Sequence, residues 1–214
     1  MRVGITSFDA FQVAFKEIGK RHDHLMIEET VPGTIYRLLC LTGRVIAVSY
    51  GIPANVSGDG THSISELVAI KNASRGHHEI EIDRDARRLL TEAGYSPEDV
   101  PACGVRVFLG DKSNYSRGAD HEDATDDVHP SYIAVAEKAV SAFSGLVLCG
   151  VDLAIEDATV PARDNYHVLE LNSCPLLTIH YHPVRGKVRP VAEAIIDFLS
   201  GWDKTQEVHQ NAQP

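Results

Sequence analysis

The sequence is short of several things at once, and each shortage closes a class of function. It has no apolar run approaching the ~20 residues that span a bilayer. Its opening, MRVGITSFDAF, lacks the charged-then-apolar layout of a secretion signal. No membrane role is expected, and the cytoplasm is the expected location. The four cysteines, Cys40, Cys103, Cys149 and Cys174, are far apart and form no C-x-x-C pair. Buried free thiols in a reducing compartment are expected, rather than disulfides or metal ligands. Basic residues are outnumbered, 20 Lys and Arg against 30 Asp and Glu, for a net charge of −10. Such a chain has no global attraction for nucleic acid or anionic membranes. There is no G-x-S-x-G, and no single Ser or Cys is supported as a nucleophile. Of eleven histidines, His77–His78 and His180-x-His182 are the closest pairs, and neither has a Cys or acid at zinc spacing. Gly58-Asp59-Gly60 does not follow a strand and open a helix, so it reads as a tight turn and not a phosphate loop.

What is present is an ordinary globular mix, 43% hydrophobic and 23% charged over 214 residues, enough for one domain or two small lobes. Phe8, Phe11, Phe15 and Ile18 recur at helical spacing after Ser7, a plausible cap. HLMIEETV reads as a strand ending in two acids. TIYRLLCLTGRVIAVSYGIPA reads as a hairpin turning at Thr-Gly-Arg. NVSGDGTHS reads as a polar loop, SISELVAIKN as a helix capped by Ser63 or Ser65, and IEIDRDARRLLTEAG as a short helix ending near Gly94. GVRVFLGD is a predicted strand and KSNYSRGADHEDATDDVHP a long polar loop. SYIAVAEKAVSAFSG is a predicted helix. LVLCGVDLAIED and YHVLELNSCP are two predicted strands, VRPVAEAIIDFLSGW a final helix, and DKTQEVHQNAQP a frayed tail. Hairpins dominate, which favours α+β or mixed α/β over a doubly wound parallel sheet.

Three constellations carry chemistry. Asp152 interrupts one apolar strand, and Glu170 and Asn172, two apart, emerge on one face of the next. Buried carboxylates need a positive partner. Mg²⁺ suits three hard oxygen donors, and a salt-bridged strand end fits the same pattern. Lys112, Asn114 and Arg117 share a loop that suits a phosphate, or forms a solvated loop answering the acids nearby. Glu28 and Glu29 precede a Pro-Gly turn that could hold a ligand's polar edge or lie plainly exposed.

Five blocks in order, IEETVPGTIYRLL, GIPANVSGDGTHSISELVAIKN, KSNYSRGAD…DVHPSY, CGVDLAIED and LELNSCP, resemble the ATP-grasp superfamily, from the first helix to about Leu199. The nearest likeness is to the ATP-grasp domain of bifunctional glutamate–cysteine ligase/glutathione synthetases; cyanophycin synthetase is similar. The resemblance implies an α+β ATP-grasp fold and a carboxylate–amine ligase that works through an acyl phosphate. ATP is its co-substrate, Mg²⁺ its cofactor, and a small amino acid or peptide its substrate. It implies Asp152, Glu170 and Asn172 as metal ligands. It further implies Glu28, Glu29, Thr30 and Val31 as the nucleotide hinge, and Lys112, Asn114 and Arg37 as groups facing phosphate or carboxylate.

By the same resemblance the chain starts late, without the preATP-grasp region or the first strands of the small lobe, and RVGIT resembles the exit from the family's glycine-rich loop. A partner chain, or an upstream piece of a longer gene, would then supply the missing lobe. Residues 1–199 are the expected partial domain, divided into 1–50 and 51–199, with 200–214 a tail. Ile35 stands where the family has a ribose-holding acid, Gly51 where it often has Arg, Thr61 where Lys is usual, and Leu176 where a small residue follows the proline. These departures support a second reading, a catalytically silent remnant that acts as a binding or regulatory module.

Overall fold

A computed structural model describes residues 4–75 and 78–210, with the backbone alone for 202–210. His77 and Arg2-Val3, which entered the expectations above, lie outside the described residues. The elements run α1 (Phe8–Gly19), β1 (Thr34–Leu41), β2 (Arg44–Ile52), β3 (Asn55–Ser57), α2 (Ile64–Ser74) and α3 (Arg84–Glu92). They continue with β4 (Arg106–Phe108), β5 (Asp120–Asp123), α4 (Pro130–Ser141), β6 (Leu148–Ile155), β7 (Tyr166–Asn172) and α5 (Val191–Gln210).

The main sheet is antiparallel with five strands in the order β5-β2-β1-β6-β7. Its hairpin β1–β2 turns through Thr42 and Gly43 at φ 51° and 78°, the double left-handed geometry that matches strand twist. One face buries Leu38, Cys40, Val48, Val151, Leu153 and Ile155 against Tyr132, Ala136 and Val140 of α4, the alternation that a one-sided strand dictates. A second unit packs α2 and α3 on the β3–β4 pair around Val56, Ile64, Leu90 and Val107. Ser63 caps α2 in a full capping box with Glu66, and Ser7 caps α1. The boundary expected at residue 50 falls inside β2, and the sheet draws strands from both sides of it.

Five expectations fail. Residues 24–31 form no strand; among the described residues no neighbouring ladder takes their backbone, and Met26 and Ile27 are exposed. The polar loop beginning at Asn55 opens with β3, and the strand expected across 104–111 shortens to β4, because pairing between the two extends over three residues. The long polar loop hides β5, whose four residues Asp-His-Glu-Asp are all buried. Last, 203–210, expected as frayed, continue α5. The four cysteines are free, with Cys40 and Cys149 buried and Cys103 and Cys174 exposed. Cys40 and Cys149 face each other across β1 and β6, and burial pushes the Cys40 thiol up to about 12.

A charged row across the sheet as candidate active site

Strand register builds the site. Asp123, Ser49, Arg37, Asp152 and Glu170 are successive cross-strand partners on β5, β2, β1, β6 and β7. Opposed residues share a sheet face, so the five form one transverse row on the face turned away from α4. Asn172, two residues beyond Glu170, continues that face opposite Gly150. A small apolar cluster of Leu39, Ala47 and Val191 flanks the row. The 3-10 turn Thr178–His180 packs against β2 and β5.

The row's two ends differ. At the β5 end Asp123 accepts from Arg189 Nε at 3.0 Å and Nη2 at 2.8 Å, from the Thr125 hydroxyl and from the Lys187 N–H. Burial pushes its carboxyl up, but these donors outweigh it and hold the group at about 2. At the other end Arg37 forks onto Asp152, Nε to Oδ1 at 2.8 Å and Nη2 to Oδ2 at 2.7 Å. The bond to Asp152 raises the guanidinium's pKa against the opposing effect of burial. Glu170 stands 4.0 Å from Arg37 with its side chain 62% exposed. Asn172 Oδ1 accepts the Cys174 N–H at 2.9 Å, which leaves that carbonyl a second lone pair.

The corner Asp152–Glu170–Asn172 therefore gathers the hard oxygen donors that Mg²⁺ takes. Among the described residues no group of three or more His, Cys, Asp or Glu assembles for a metal, so this corner of two carboxylates and an amide stands on its donor chemistry. By type the donors fit; their competitor is the Arg37 guanidinium. His180 lies in the 3-10 turn Thr178–His180.

The remaining sequence candidates lie around this row. Lys112, Asn114 and Arg117 line a cleft of about 920 Å³ with Glu79, Glu81, Asp83 and Asp85, apart from the Asp152 corner. Their loop nevertheless borders the row, because Ser113 rests on Gly51, two residues beyond Ser49 on β2. A Cβ at Gly51 would overlap Ser113, so the glycine is what admits the loop. Glu28, Glu29 and Thr30 are exposed and Val31 half-buried in a coil before β1. Sequence reading missed Ser49, Asp123 and Arg189, and weighed His180 only as a zinc candidate. The signal for Ser49 and Asp123 was the register, and β5 itself was hidden in a polar run.

No protein-family model matches the chain. It is 35% identical over 199 residues to a glutathione biosynthesis bifunctional protein of Clostridium perfringens, covering 89% of this chain and 25% of that one. It is 32% identical over 206 residues to cyanophycin synthetase of Trichormus variabilis, covering 92% and 23%. The crystal structure of a bifunctional glutathione synthetase from Pasteurella multocida superimposes with a TM-score of 0.71 at 35% identity, over 80% of this chain and 24% of that one. This is an ATP-grasp fold. The chain spans about a quarter of the length of the curated relatives it matches. In this ATP-grasp chain no described helix is long and apolar enough to cross a membrane.

Proposed function

We propose that the chain serves an ATP- and Mg²⁺-dependent carboxylate–amine ligation of the glutathione-synthetase type, through an acyl phosphate. The observation that carries this is the hard-oxygen corner of Asp152, Glu170 and Asn172 at the open end of the charged row, with Arg37 beside it. Similarity to bifunctional glutathione synthetases supports it. Asp152, Glu170 and Asn172 would hold Mg²⁺. When bound, the ion neutralises the charge that phosphoryl transfer spreads over the phosphate oxygens.

Arg37 offers a planar fork to a phosphate or a substrate carboxylate. Lys112 and Asn114, on the loop seated at Gly51, would reach toward the nucleotide's phosphates. The exposed backbone of Glu28, Glu29, Thr30 and Val31 would hold the base through main-chain groups. The substrates are a small amino acid or peptide carboxylate and an amine, and 1–199 is the working unit.

One observation favours a silent binding module instead: Ile35, a side chain with no hydrogen-bonding group, stands 45% exposed two residues from Arg37. Calorimetry separates the two readings. ATP titrated with and without Mg²⁺ should bind in a Mg²⁺-dependent way to the chain and lose that dependence in Glu170→Ala. ATP binding indifferent to both Mg²⁺ and Glu170 would favour the silent module. No heat at millimolar ATP would sink the ligase reading for this chain.

A further inference from the structure

Among the described residues two buried polar atoms at the charged row have no hydrogen-bond partner: Ser49 Oγ, on the row, and His180 Nε2, in the turn packed beside it. Ser49 is 1% exposed and His180 3%, and atoms so deep are normally paired. Both lie on the β2 side of Arg37. Ser49 is its register partner on β2. His180, in the turn packed on β2 and β5, is near enough to sense both the Arg37 guanidinium and the Asp123 carboxylate. On its other side Arg37 commits Nε and Nη2 to the two oxygens of Asp152. The guanidinium thus stands between a carboxylate it occupies and two acceptors it leaves unmet. Neighbouring strands lie ~4.8 Å apart, so a long arginine side chain rooted on β1 can serve either flank.

Asp123, further along the row, is no alternative destination, since Arg189, Thr125 and the Lys187 N–H already fill it. Burial keeps the His180 ring neutral at neutral pH. With its proton on Nδ1, Nε2 is an acceptor. A divalent cation and a guanidinium compete for the same Asp152 oxygens, and a half-buried arginine displaced with no acceptor would oppose the cation's binding.

Resting on the metal reading above, we infer that Ser49 and His180 are positioning residues that receive the Arg37 guanidinium when a divalent cation takes Asp152. Arg37 changes partner from the carboxylate to the hydroxyl and imidazole, and the cation meets a freed carboxylate.

The test is Mn²⁺ binding to the full chain, read from the electron paramagnetic resonance signal of the free ion. Ser49→Ala, nearly isosteric, should weaken Mn²⁺ binding on the order of 5-fold, the scale of coupling between contacting residues. Ser49→Thr, which keeps the hydroxyl, should restore it. Arg37→Gln should tighten binding by removing the competitor, and in that background Ser49→Ala should change nothing. A merely structural role for Ser49 would weaken binding equally in both backgrounds, which would overturn the inference.

Mn²⁺ bound by the wild type but indifferent to Ser49→Ala would overturn it while leaving the metal reading intact. Absence of Mn²⁺ binding in both the wild type and Arg37→Gln would overturn both. Independently, the ¹⁵N resonance of His180 Nε2, assigned by its loss in His180→Gln, should move on Mg²⁺ saturation; an unmoved resonance in a chain that binds Mg²⁺ counts against the inference.

Discussion

β5 and β7 lie at opposite edges of one sheet, and both bring acids to the row. In β5 every acid is buried and met. Asp120 binds Lys71 at 2.6 Å and Arg75 at 2.9 Å, Glu122 meets the Tyr50 hydroxyl and Arg185, and Asp123 meets Arg189. Residues 184–185 close β5's outer edge through the Val184 and Asp123 N–H groups. In β7, Glu170 is largely exposed with one distant cation, Val168 and Leu169 are 44% and 42% exposed, and no described strand pairs beyond it. Acids that hold a fold are dry and neutralised on all sides, whereas acids free to take a ligand keep water and lack a full set of partners.

The largest way to break this comparison is Asp120→Ala. It would take the neutralising carboxylate from Lys71 and Arg75, the latter's side chain 5% exposed, while the Asn55 and Ala119 carbonyls still accept from them. Removing one partner of such a buried network costs ~3–5 kcal/mol, measurable by urea unfolding. A loss under ~1 kcal/mol, the worth of a surface pair, would show β5 to be no different in kind from β7.

His180 gives the next largest effect, and it depends on pH. Burial depresses the imidazole to about 4, with Asp123 opposing and Arg37 assisting. The unfolded ring titrates near ~6.5. A depressed folded pKa means that the unfolded chain takes up the proton first. The stability tied to a neutral His180 is therefore complete above the unfolded value and is lost as pH falls toward about 4. The whole loss is ~3 kcal/mol. Urea midpoints across that window should fall steeply for the wild type and less for His180→Gln; parallel curves would remove His180 from the dry end of the row.

Gly51→Ala probes the loop seated beside β5, where Gly51 pairs with His121. A Cβ there overlaps Ser113, so the loop carrying Lys112 and Asn114 must shift, at ~1–3 kcal/mol for overpacking. Amide resonances of residues 111–114 should move while those of β7 stay in place. Unmoved loop resonances would mean that the glycine is not what seats the loop.

These tests concern residues of unequal legibility. The β1–β2 hairpin, the caps at Ser7 and Ser63, and the β6–β7 pair were readable because period-2 alternation, Thr-Gly-Arg and capping hydroxyls are local signals. Asp152 and Glu170 were readable as odd polar residues in apolar strands, and the register makes them direct partners. β5 was not readable: Asp-His-Glu-Asp has no strand propensity, and it is held by Lys71, Arg75, Arg185 and Arg189 from distant parts of the chain. The fork of Arg37 onto Asp152 was unreadable for the same reason, since 115 residues separate them. Conversely HLMIEETV has strand-like local composition and no strand to pair with among the described residues, so propensity there lost to topology.

Glu170→Gln should do least to the fold and most to the ligand response. The change removes one charge at an exposed edge, 4.0 Å from Arg37, and screened contacts of this kind contribute at most ~1 kcal/mol. Without Mg²⁺ the variant's Tm should match the wild type's. With Mg²⁺ the wild type should gain stability by mass action, and the variant, short of one anionic donor, should gain much less. A variant destabilised without Mg²⁺ as strongly as Asp120→Ala would place Glu170 among the architectural acids of β5. A Mg²⁺ gain equal to the wild type's would take the Glu170 charge out of the donor set and overturn the assignment of the ion to this three-donor corner.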